Sequence, residues 1–140
     1  MYEPIGAYVN QNGDLQNGIS GTYFAKEVEY LQDVCDSINV RINSVGGSVI
    51  EGYSIVSAIL NSKIPVNTYI DGLAASIAGV IAVAGTKCTM KDYGTLMMHN
   101  ASGSEDSSLL DVVNGTLCTI LSNRCGKDKE TINAMMEQET

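Results

Sequence analysis

A serine flanked by small residues is the first position in this sequence that could carry out chemistry. Ser76 closes the run Gly72-Leu-Ala-Ala-Ser76, and an apolar stretch begins at Ile77. Small neighbours permit a tight strand-to-helix turn, the geometry by which hydrolases expose a nucleophilic serine oxygen. Free N–H groups at the start of a helix also favour an anion that forms nearby. The alternative interpretation is that Ser76 only caps the helix, a role for which serine is well suited.

A serine nucleophile needs a base to take its proton, and the sequence contains one histidine, His99. His99 follows the segment Thr95-Leu-Met-Met98, so we expect it at the end of a strand, where it could reach a pocket. A lone histidine is more often structural than catalytic. The pair Gly46-Gly47 adds a second turn with free N–H groups, however, and these three features rarely occur together by chance. Their combination favours Ser-His chemistry.

Alternating strands and helices are predicted to position these residues. Residues Ile38 to Asn43 alternate apolar and polar side chains, which predicts a half-buried strand that ends before the glycine pair. From Val49 the apolar residues recur at helical spacing, and Pro65 cannot continue that helix. The β-branched and aromatic run Val66 to Ile70 predicts a second strand. A unit of this length is typical of a right-handed crossover between parallel strands.

The same alternation continues on both sides of this unit. Upstream, the pattern predicts a strand over Ile5 to Val9 and a helix over Phe24 to Cys35. Downstream, the pattern predicts helices at Ser76 to Ala84, from Leu109 to a stop at Gly126, and at Lys129 to Glu137. It predicts short strands at Cys88 to Met90 and at Thr95 to Met98. This order predicts an α/β fold.

Composition and charge exclude several classes of function. The 140 residues are expected to form one domain, and 16 acidic against 8 basic residues give a net charge of −8. Such a surface does not suit nucleic acid or anionic lipid, so neither is an expected partner. No apolar run is long enough to span a bilayer and no secretion signal is visible. We therefore expect no contact with a membrane and a location in the cytoplasm.

Cysteines and nucleotide motifs bear on cofactors. The four cysteines form no CxxC pair, which predicts free thiols and no metal site. The sequence contains no P-loop, so any use of ATP would belong to a partner. No cofactor is expected.

Three segments resemble signature segments of a known family. They are Ile42-Asn-Ser-Val-Gly-Gly-Ser48, Asp71-Gly-Leu-Ala-Ala-Ser-Ile77 and Leu96-Met-Met-His-Asn100. From about Phe24 to Thr140 the chain is similar to the Clp protease proteolytic subunit family. The serine and histidine segments resemble most narrowly the Clp-like head maturation (prohead) proteases of tailed phages and prophages. The resemblance implies a serine peptidase of the ClpP/crotonase-like fold.

The resemblance also assigns roles to individual residues. It implies that Ser76 is the nucleophile and His99 the general base. Gly47 and Ile77 would donate the backbone N–H groups of an oxyanion hole, which agrees with the need for donors aimed at the developing charge. Val45 stands where the family usually has proline, a change that should loosen the turn without removing either donor.

The third member of the catalytic triad is the largest departure from the family pattern. The family uses an aspartate after the long helix, and the matching position here is Glu139. The chain stops one residue later, so we expect a single peptidase domain over residues 1–140 that lacks the family's C-terminal segment, with Glu139 poorly held. Asp71, shortly before the serine, and Asp92, in the turn before the histidine strand, compete for the orienting role. A chain with no orienting acid is the further alternative.

The long helix predicted from Leu109 has a wide apolar face. The residues that share helical spacing on it are Leu109, Leu110, Val113, Leu117, Ile120 and Leu121. A small domain would leave part of such a face in water, which favours self-association. In the resembled family this segment is a handle that packs against other subunits and helps to build rings around a proteolytic chamber. We therefore expect a ring-shaped homo-oligomer.

The leading hypothesis is a serine endopeptidase that acts on protein or peptide substrates through an acyl-enzyme on Ser76. By family analogy, the substrates would be phage capsid or scaffold proteins cleaved during head maturation. The nearest alternative is a housekeeping Clp-type proteolytic subunit fed by an ATPase partner. The remaining alternatives are a non-catalytic scaffold or shell protein with the same fold, and a crotonase-type acyl-CoA enzyme, which has no use for a Ser-His pair.

Overall fold

Strands and helices alternate along the chain, as the sequence predicts. The computed structural model describes residues 1–103 and 106–139. Their elements, in chain order, are β1 (Tyr8–Val9), β2 (Leu15–Gln16), α1 (Gly21–Leu31), β3 (Ile38–Ser44), α2 (Val49–Leu60), β4 (Val66–Ala75), α3 (Ile77–Ala84), β5 (Cys88–Met90), β6 (Thr95–Met97), α4 (Ser107–Cys125) and α5 (Lys129–Glu137). The predicted α/β class is confirmed.

The central sheet is parallel and has four strands in the part of the chain that the structure describes. β3 pairs with one edge of β4, and the other edge of β4 pairs first with β5 and then with β6. Side chains along β3 alternate strictly between buried and exposed, because one face of the sheet packs against helices. Since the strands run in the same direction, their carboxyl ends lie together at one edge, the usual place for a site in such folds.

β4 is longer than the sequence pattern indicates. The prediction ends at Ile70, whereas the strand continues to Ala75. Between them the register with β3 shifts, and Asn43 fills the gap: its Oδ1 accepts the N–H of Leu73 at 3.0 Å. Glycine and alanine have low strand propensity, so the extension depends on these pairings with neighbouring strands and not on local preference.

The hydrophobic core lies between the sheet and the helices, and α1 to α5 all contribute buried residues to it. Ile42, Ile55, Ile70 and Ile81 are almost completely buried in it. All residues of α3 except Val83 are buried. The apolar stretch predicted as an element at Ser76 to Ala84 therefore forms a helix that is covered on nearly every side.

The first strand differs from its prediction. The sequence predicts a strand over Ile5 to Val9, but Gly6 interrupts it with a φ of 79°. Only Tyr8–Val9 forms a regular strand, paired with β2. Ile5 instead forms isolated bridges to Ile19 and to Gly47.

The apolar face of α4 is only partly covered. Leu117, Cys118 and Leu121 are buried against the rest of the domain, whereas Leu109 is 52% and Val112 68% exposed. The helix contacts α3 and α5, and all its fully buried residues lie in its second half. The expected uncovered surface therefore exists, but it is confined to the first half of the helix.

Arg124, in the last turn of α4, binds the carboxyl end of α3. Its Nε donates to the Val83 carbonyl at 3.1 Å, and its Nη2 donates to the Gly85 carbonyl. A cation there satisfies carbonyls that the helix leaves unpaired and complements the helix dipole. We expect Arg124→Ala to lower the free energy of unfolding by about 1–3 kcal/mol, measured by urea denaturation. Lys127→Ala, which removes an exposed cation nearby, should cost less than about 0.5 kcal/mol, and equal losses would contradict this role.

Candidate active site

Three loops meet at the carboxyl edge of the parallel sheet. β3 leads into Gly46-Gly47, β4 leads into Ser76, and β6 leads into His99. Ala75 pairs with Met97, so the ends of β4 and β6 lie side by side, and adjacent strands are about 4.8 Å apart. The structure thus brings the residues of the predicted Ser-His pair to the same edge.

Ser76 has a backbone conformation that residues with a side chain rarely adopt. Its φ is 57° and its ψ is −132°, in a region that favours glycine. The N–H of Ser76 donates to the Met97 carbonyl at 3.0 Å, which ties the turn to β6. Ser76 occupies the N-cap position of α3, but its side chain makes no capping hydrogen bond, so its hydroxyl is not used to cap the helix. A strained serine at a strand-to-helix turn is the arrangement that exposes a nucleophilic oxygen.

Ser76 and His99 line the same small pocket. Its remaining walls are apolar and include Met98, Leu117 and Met136. The cavity volume is about 10 Å³, room for about one water molecule. Within the described residues, no hydrogen bond joins the serine to the histidine. Such bonds often form only when substrate binds, so the shared pocket is the relevant geometry.

The glycine pair packs directly against the serine turn. A Cβ built on Gly46 would lie 2.7 Å from the Cβ of Ser76, so only glycine allows this approach. On the other side of the loop, the N–H of Ile5 donates to the Gly46 carbonyl and the N–H of Ser48 donates to the Ile5 carbonyl, each at 2.8 Å. The Gly46 carbonyl and the Gly47 N–H belong to one trans peptide group and point in opposite directions. The N–H of Gly47 therefore faces away from Ile5.

Several backbone N–H groups near the serine have no acceptor in residues 1–103 and 106–139. Those of Gly47 and Ile77 are among them. Ile77 is the first residue of α3, where N–H groups have no partner within the helix. A pair of free donors beside a serine hydroxyl could bind the negative oxygen that forms when a carbonyl is attacked.

We expect Gly46→Ala to displace the serine turn. Gly46 has a φ of 94°, and the added methyl group would overlap Ser76. Gly103 has a similar φ of 91° but open space around it, so Gly103→Ala introduces comparable backbone strain without an overlap. In thermal unfolding, the Gly46 variant should lose about 1–3 kcal/mol more stability than the Gly103 variant. Its labelling by a serine probe should also fall to a small fraction of that of the unmodified chain. Similar losses in both variants would show that the overlap is unimportant.

Two of the acidic candidates are engaged away from the pocket. Asp71 accepts hydrogen bonds from Arg41 Nε at 2.8 Å and from the Tyr2 hydroxyl at 2.7 Å. The hydrogen bond from Arg41 holds the pKa of Asp71 below its usual value. Asp92 accepts the N–H of the following residue in an exposed turn. Neither Asp71 nor Asp92 lines the pocket that holds His99, so the structure adds no support for either as its partner.

Glu139 lies just beyond the end of α5. It is exposed and has a left-handed backbone, with a φ of 54°. In the described part of the chain, its carboxylate makes no hydrogen bond with His99. Met136, one turn earlier, lines the pocket, so α5 ends close to the site. The orienting role of Glu139 stays a prediction.

Sequence reasoning missed Asn114, which holds the loop after His99. Its Oδ1 accepts the N–H of Ala101 at 2.7 Å, and Ala101 lines the pocket with His99. The signal was present in the sequence, because Asn114 falls between Val113 and Leu117 near the apolar side of a predicted helix. A half-buried amide there needs a partner, and the loop supplies one.

Residues 1–103 and 106–139 contain no cluster of three or more histidine, cysteine or acidic side chains that could hold a metal ion. All four cysteines are free thiols. None of the helices in these ranges combines the length and the apolar character needed to cross a bilayer.

Comparison with protein families shows what kind of protein carries this site. The family model described as Clp protease matches residues 14–140. The chain belongs to the Clp protease family. This membership confirms, at the family level, the resemblance carried by the glycine, serine and histidine segments.

Curated Clp protease subunits are similar in sequence over part of their length. The ATP-dependent Clp protease proteolytic subunit 1 of Shouchella clausii is 32% identical over 106 residues, which cover 74% of this chain and 51% of that protein. The ATP-dependent Clp protease proteolytic subunit of Ligilactobacillus salivarius is 30% identical over 139 residues, which cover 91% of this chain and 69% of that protein. The chain spans about half the length of the first of these relatives.

A solved structure of a Clp protease subunit has the same fold. A ClpP1 variant from Listeria monocytogenes matches with a TM-score of 0.80 and 20% sequence identity, covering 98% of this chain and 77% of that one. The predicted ClpP fold with a long handle helix is therefore confirmed. The narrower likeness to phage head maturation proteases stays a prediction from the serine and histidine segments.

Proposed function

We propose that this chain is a Clp-type serine peptidase subunit in which Ser76 attacks peptide carbonyls. The observation that carries the proposal is the strained backbone of Ser76, next to a pocket shared with His99. Backbone strain of this kind persists only where the surrounding structure enforces it, and it concentrates at functional sites. Membership of the Clp protease family supports the same chemistry.

In the proposed reaction, His99 takes the hydroxyl proton of Ser76 as the serine oxygen attacks the carbonyl carbon of the substrate. The carbonyl π electrons move to oxygen, where the N–H groups of Gly47 and Ile77 stabilise the negative charge. The C–N bond then breaks, and His99 gives its proton to the leaving amine. Water, deprotonated by the same histidine, attacks the acyl-enzyme and the bond to the serine oxygen breaks. His99 then returns the proton to Ser76, and a carboxylic acid is released.

For the orienting acid we keep Glu139 as the proposal. A carboxylate on the far nitrogen of His99 would fix its tautomer and stabilise the imidazolium that forms. This choice is supported by the end of α5, which lies close to the pocket. Asp71 is a weaker candidate for the orienting role because it is hydrogen-bonded to Arg41. Part of the rate survives without such an acid, because the serine, histidine and oxyanion donors remain.

A general Clp proteolytic subunit is better supported than a head maturation protease. The relatives from Shouchella clausii and Ligilactobacillus salivarius are described as ATP-dependent, and this sequence has no P-loop. We therefore propose that an ATPase partner delivers unfolded protein substrates. Cleavage of phage capsid or scaffold proteins is the second candidate, and the residues of the serine segment Asp71–Ile77 are its support.

A fluorophosphonate probe tests the peptidase proposal directly. The reagent forms a covalent bond with an activated serine, and mass spectrometry of the digested protein locates the adduct. We expect one adduct, on Ser76. Labelling of a different serine, or no labelling of the assembled protein, would contradict the proposal and favour a non-catalytic scaffold or shell protein.

We also propose a ring-shaped homo-oligomer, and the exposed first half of α4 supports it. Changing Leu109 and Val112 together to glutamate should dissociate the oligomer, because a carboxylate resists burial in an apolar contact. Burial of each of these apolar side chains is worth roughly 1.5–3 kcal/mol. Light scattering at micromolar concentration measures the change in mass.

Two comparisons make this assembly test specific. The variant Leu109→Met with Val112→Ile keeps the surface apolar and should remain assembled. Leu117 is 4% exposed and lines the pocket, so a charge there would disturb the fold itself and does not test assembly. A monomer for the unmodified chain would refute the proposed ring.

A further inference from the structure

The segment 4–6 forms the middle of three parallel pieces of chain. On one side, the N–H of Ile19 donates to the Pro4 carbonyl at 2.9 Å, and the N–H of Gly6 donates to the Ile19 carbonyl at 2.8 Å. On the other side lies the glycine pair, bridged through Ile5. The segment therefore connects the glycine loop to the chain just before α1.

Ile5 holds the glycine loop by two hydrogen bonds, one on either side of Gly47. Its N–H binds the carbonyl of Gly46, and its carbonyl binds the N–H of Ser48, each at 2.8 Å. The Ile5 side chain is 1% exposed, so the core fixes the residue that makes these bonds. A Cβ built on Gly47 would lie 2.2 Å from the Ile5 carbonyl oxygen, which shows how closely the two segments approach.

The side of the loop opposite Ile5 faces the site. Gly47 lines an open groove of about 370 Å³ together with Val49 and Ala101. Val49 and Ala101 also line the pocket that holds Ser76 and His99. The two hydrogen bonds from Ile5 fix Gly46 and Ser48. They therefore also set the direction of the free N–H of Gly47, which points away from Ile5.

We propose that Ile5 is a positioning residue whose main-chain N–H and carbonyl set the direction of the Gly47 N–H. The inference rests on the proposed function, in which Gly47 is an oxyanion donor. Such a donor works only when it is aimed at the developing charge, so a small rotation of the loop lowers the rate. The match to the Clp protease model begins at residue 14, so the matched range does not include Ile5.

The test removes one hydrogen bond from each side of the segment. Ile5→Pro deletes the N–H that binds Gly46, whereas Ile19→Pro deletes the N–H that binds Pro4, on the side away from the glycine loop. Ile5→Val keeps both main-chain groups. We expect kcat on a peptide substrate to fall at least about tenfold in Ile5→Pro with KM within about twofold, and the affinity for a peptide boronate to fall in parallel. The other two variants should stay within about threefold of the unmodified chain.

Amide hydrogen exchange provides a second measurement that does not depend on activity. We expect faster exchange over residues 44–48 in Ile5→Pro than in Ile19→Pro. Equal kinetics and equal exchange in these two variants would overturn the inference and leave the segment with a purely stabilising role. If the unmodified chain has no peptidase activity, the proposed function fails, while the exchange result still decides whether Ile5 positions Gly47.

A chemical variant covers the case in which Ile5→Pro does not fold. Cys35 permits ligation of a synthetic segment 1–34 to the remainder of the chain. In that segment an ester can replace the amide between Pro4 and Ile5. This exchanges the N–H of Ile5 for an oxygen while the isoleucine side chain is kept. The same loss of kcat and the same faster exchange are expected, and unchanged values would reject the role of this N–H.

Discussion

The Ser76→Ala variant is expected to keep its fold and to lose both peptidase activity and probe labelling. Without the hydroxyl group no acyl-enzyme can form, so kcat should fall by about 10⁴-fold or more. The Ser76 side chain makes no capping hydrogen bond, and the free energy of unfolding should therefore change by less than about 1 kcal/mol. Peptide hydrolysis, probe labelling and thermal unfolding of the same preparation measure the three quantities.

Ser48→Ala is the matched control for this variant. Ser48 ends the glycine turn, and its Oγ accepts the N–H of Glu51 at 3.4 Å as the cap of α2. Loss of this cap should cost about 0.5–2 kcal/mol of stability while labelling at Ser76 continues. The two serines thus separate a chemical role from a capping role. Undiminished labelling of Ser76→Ala would remove Ser76 from the mechanism.

The His99→Ala variant should lose nearly as much activity as Ser76→Ala, and the double variant should be no worse than either. A nucleophile and its base act as one unit, so their losses do not add. The sequence offers no other histidine as a substitute base. The ratio kcat/KM on a peptide substrate measures the effect in all three variants.

Asn100→Ala controls for a general disturbance of the loop that carries His99. Asn100 follows His99 directly and is half-buried, but it does not line the pocket. This variant should keep most of its activity. Additive losses in the double Ser76 and His99 variant would mean that the two residues act in separate steps.

Several elements could be predicted because their signals are local. α5 was predicted at the bounds it has, Lys129–Glu137, and β5 at Cys88–Met90. Gly126 ends α4 in a left-handed conformation, with a φ of 66°, as a glycine helix stop requires. Helical spacing, strand alternation and cap residues depend on neighbours within a few positions, so the sequence alone contains them.

The sequence also identified the two residues that the structure brings to one pocket, Ser76 and His99. They lie together because a serine turn and a strand-end histidine occupy the carboxyl ends of parallel strands, which meet at one edge, and their catalytic roles stay predictions. The sequence pattern alone did not reveal that the Ser76 backbone is strained, since φ is fixed there by the N–H bond to Met97 and by contact with Gly46.

The tertiary structure alone decided the features that depend on residues far apart in the chain. Asp71 looked available as an orienting acid until its partner, Arg41 on the neighbouring strand, was known. Ile5 looked like an ordinary strand residue, and only packing showed that it binds the glycine loop. The apolar face of α4 looked uniform, yet only its second half contains fully buried residues. Local propensity fixes helices and strands, whereas pairing and burial arise from contacts between segments that no short window of sequence contains.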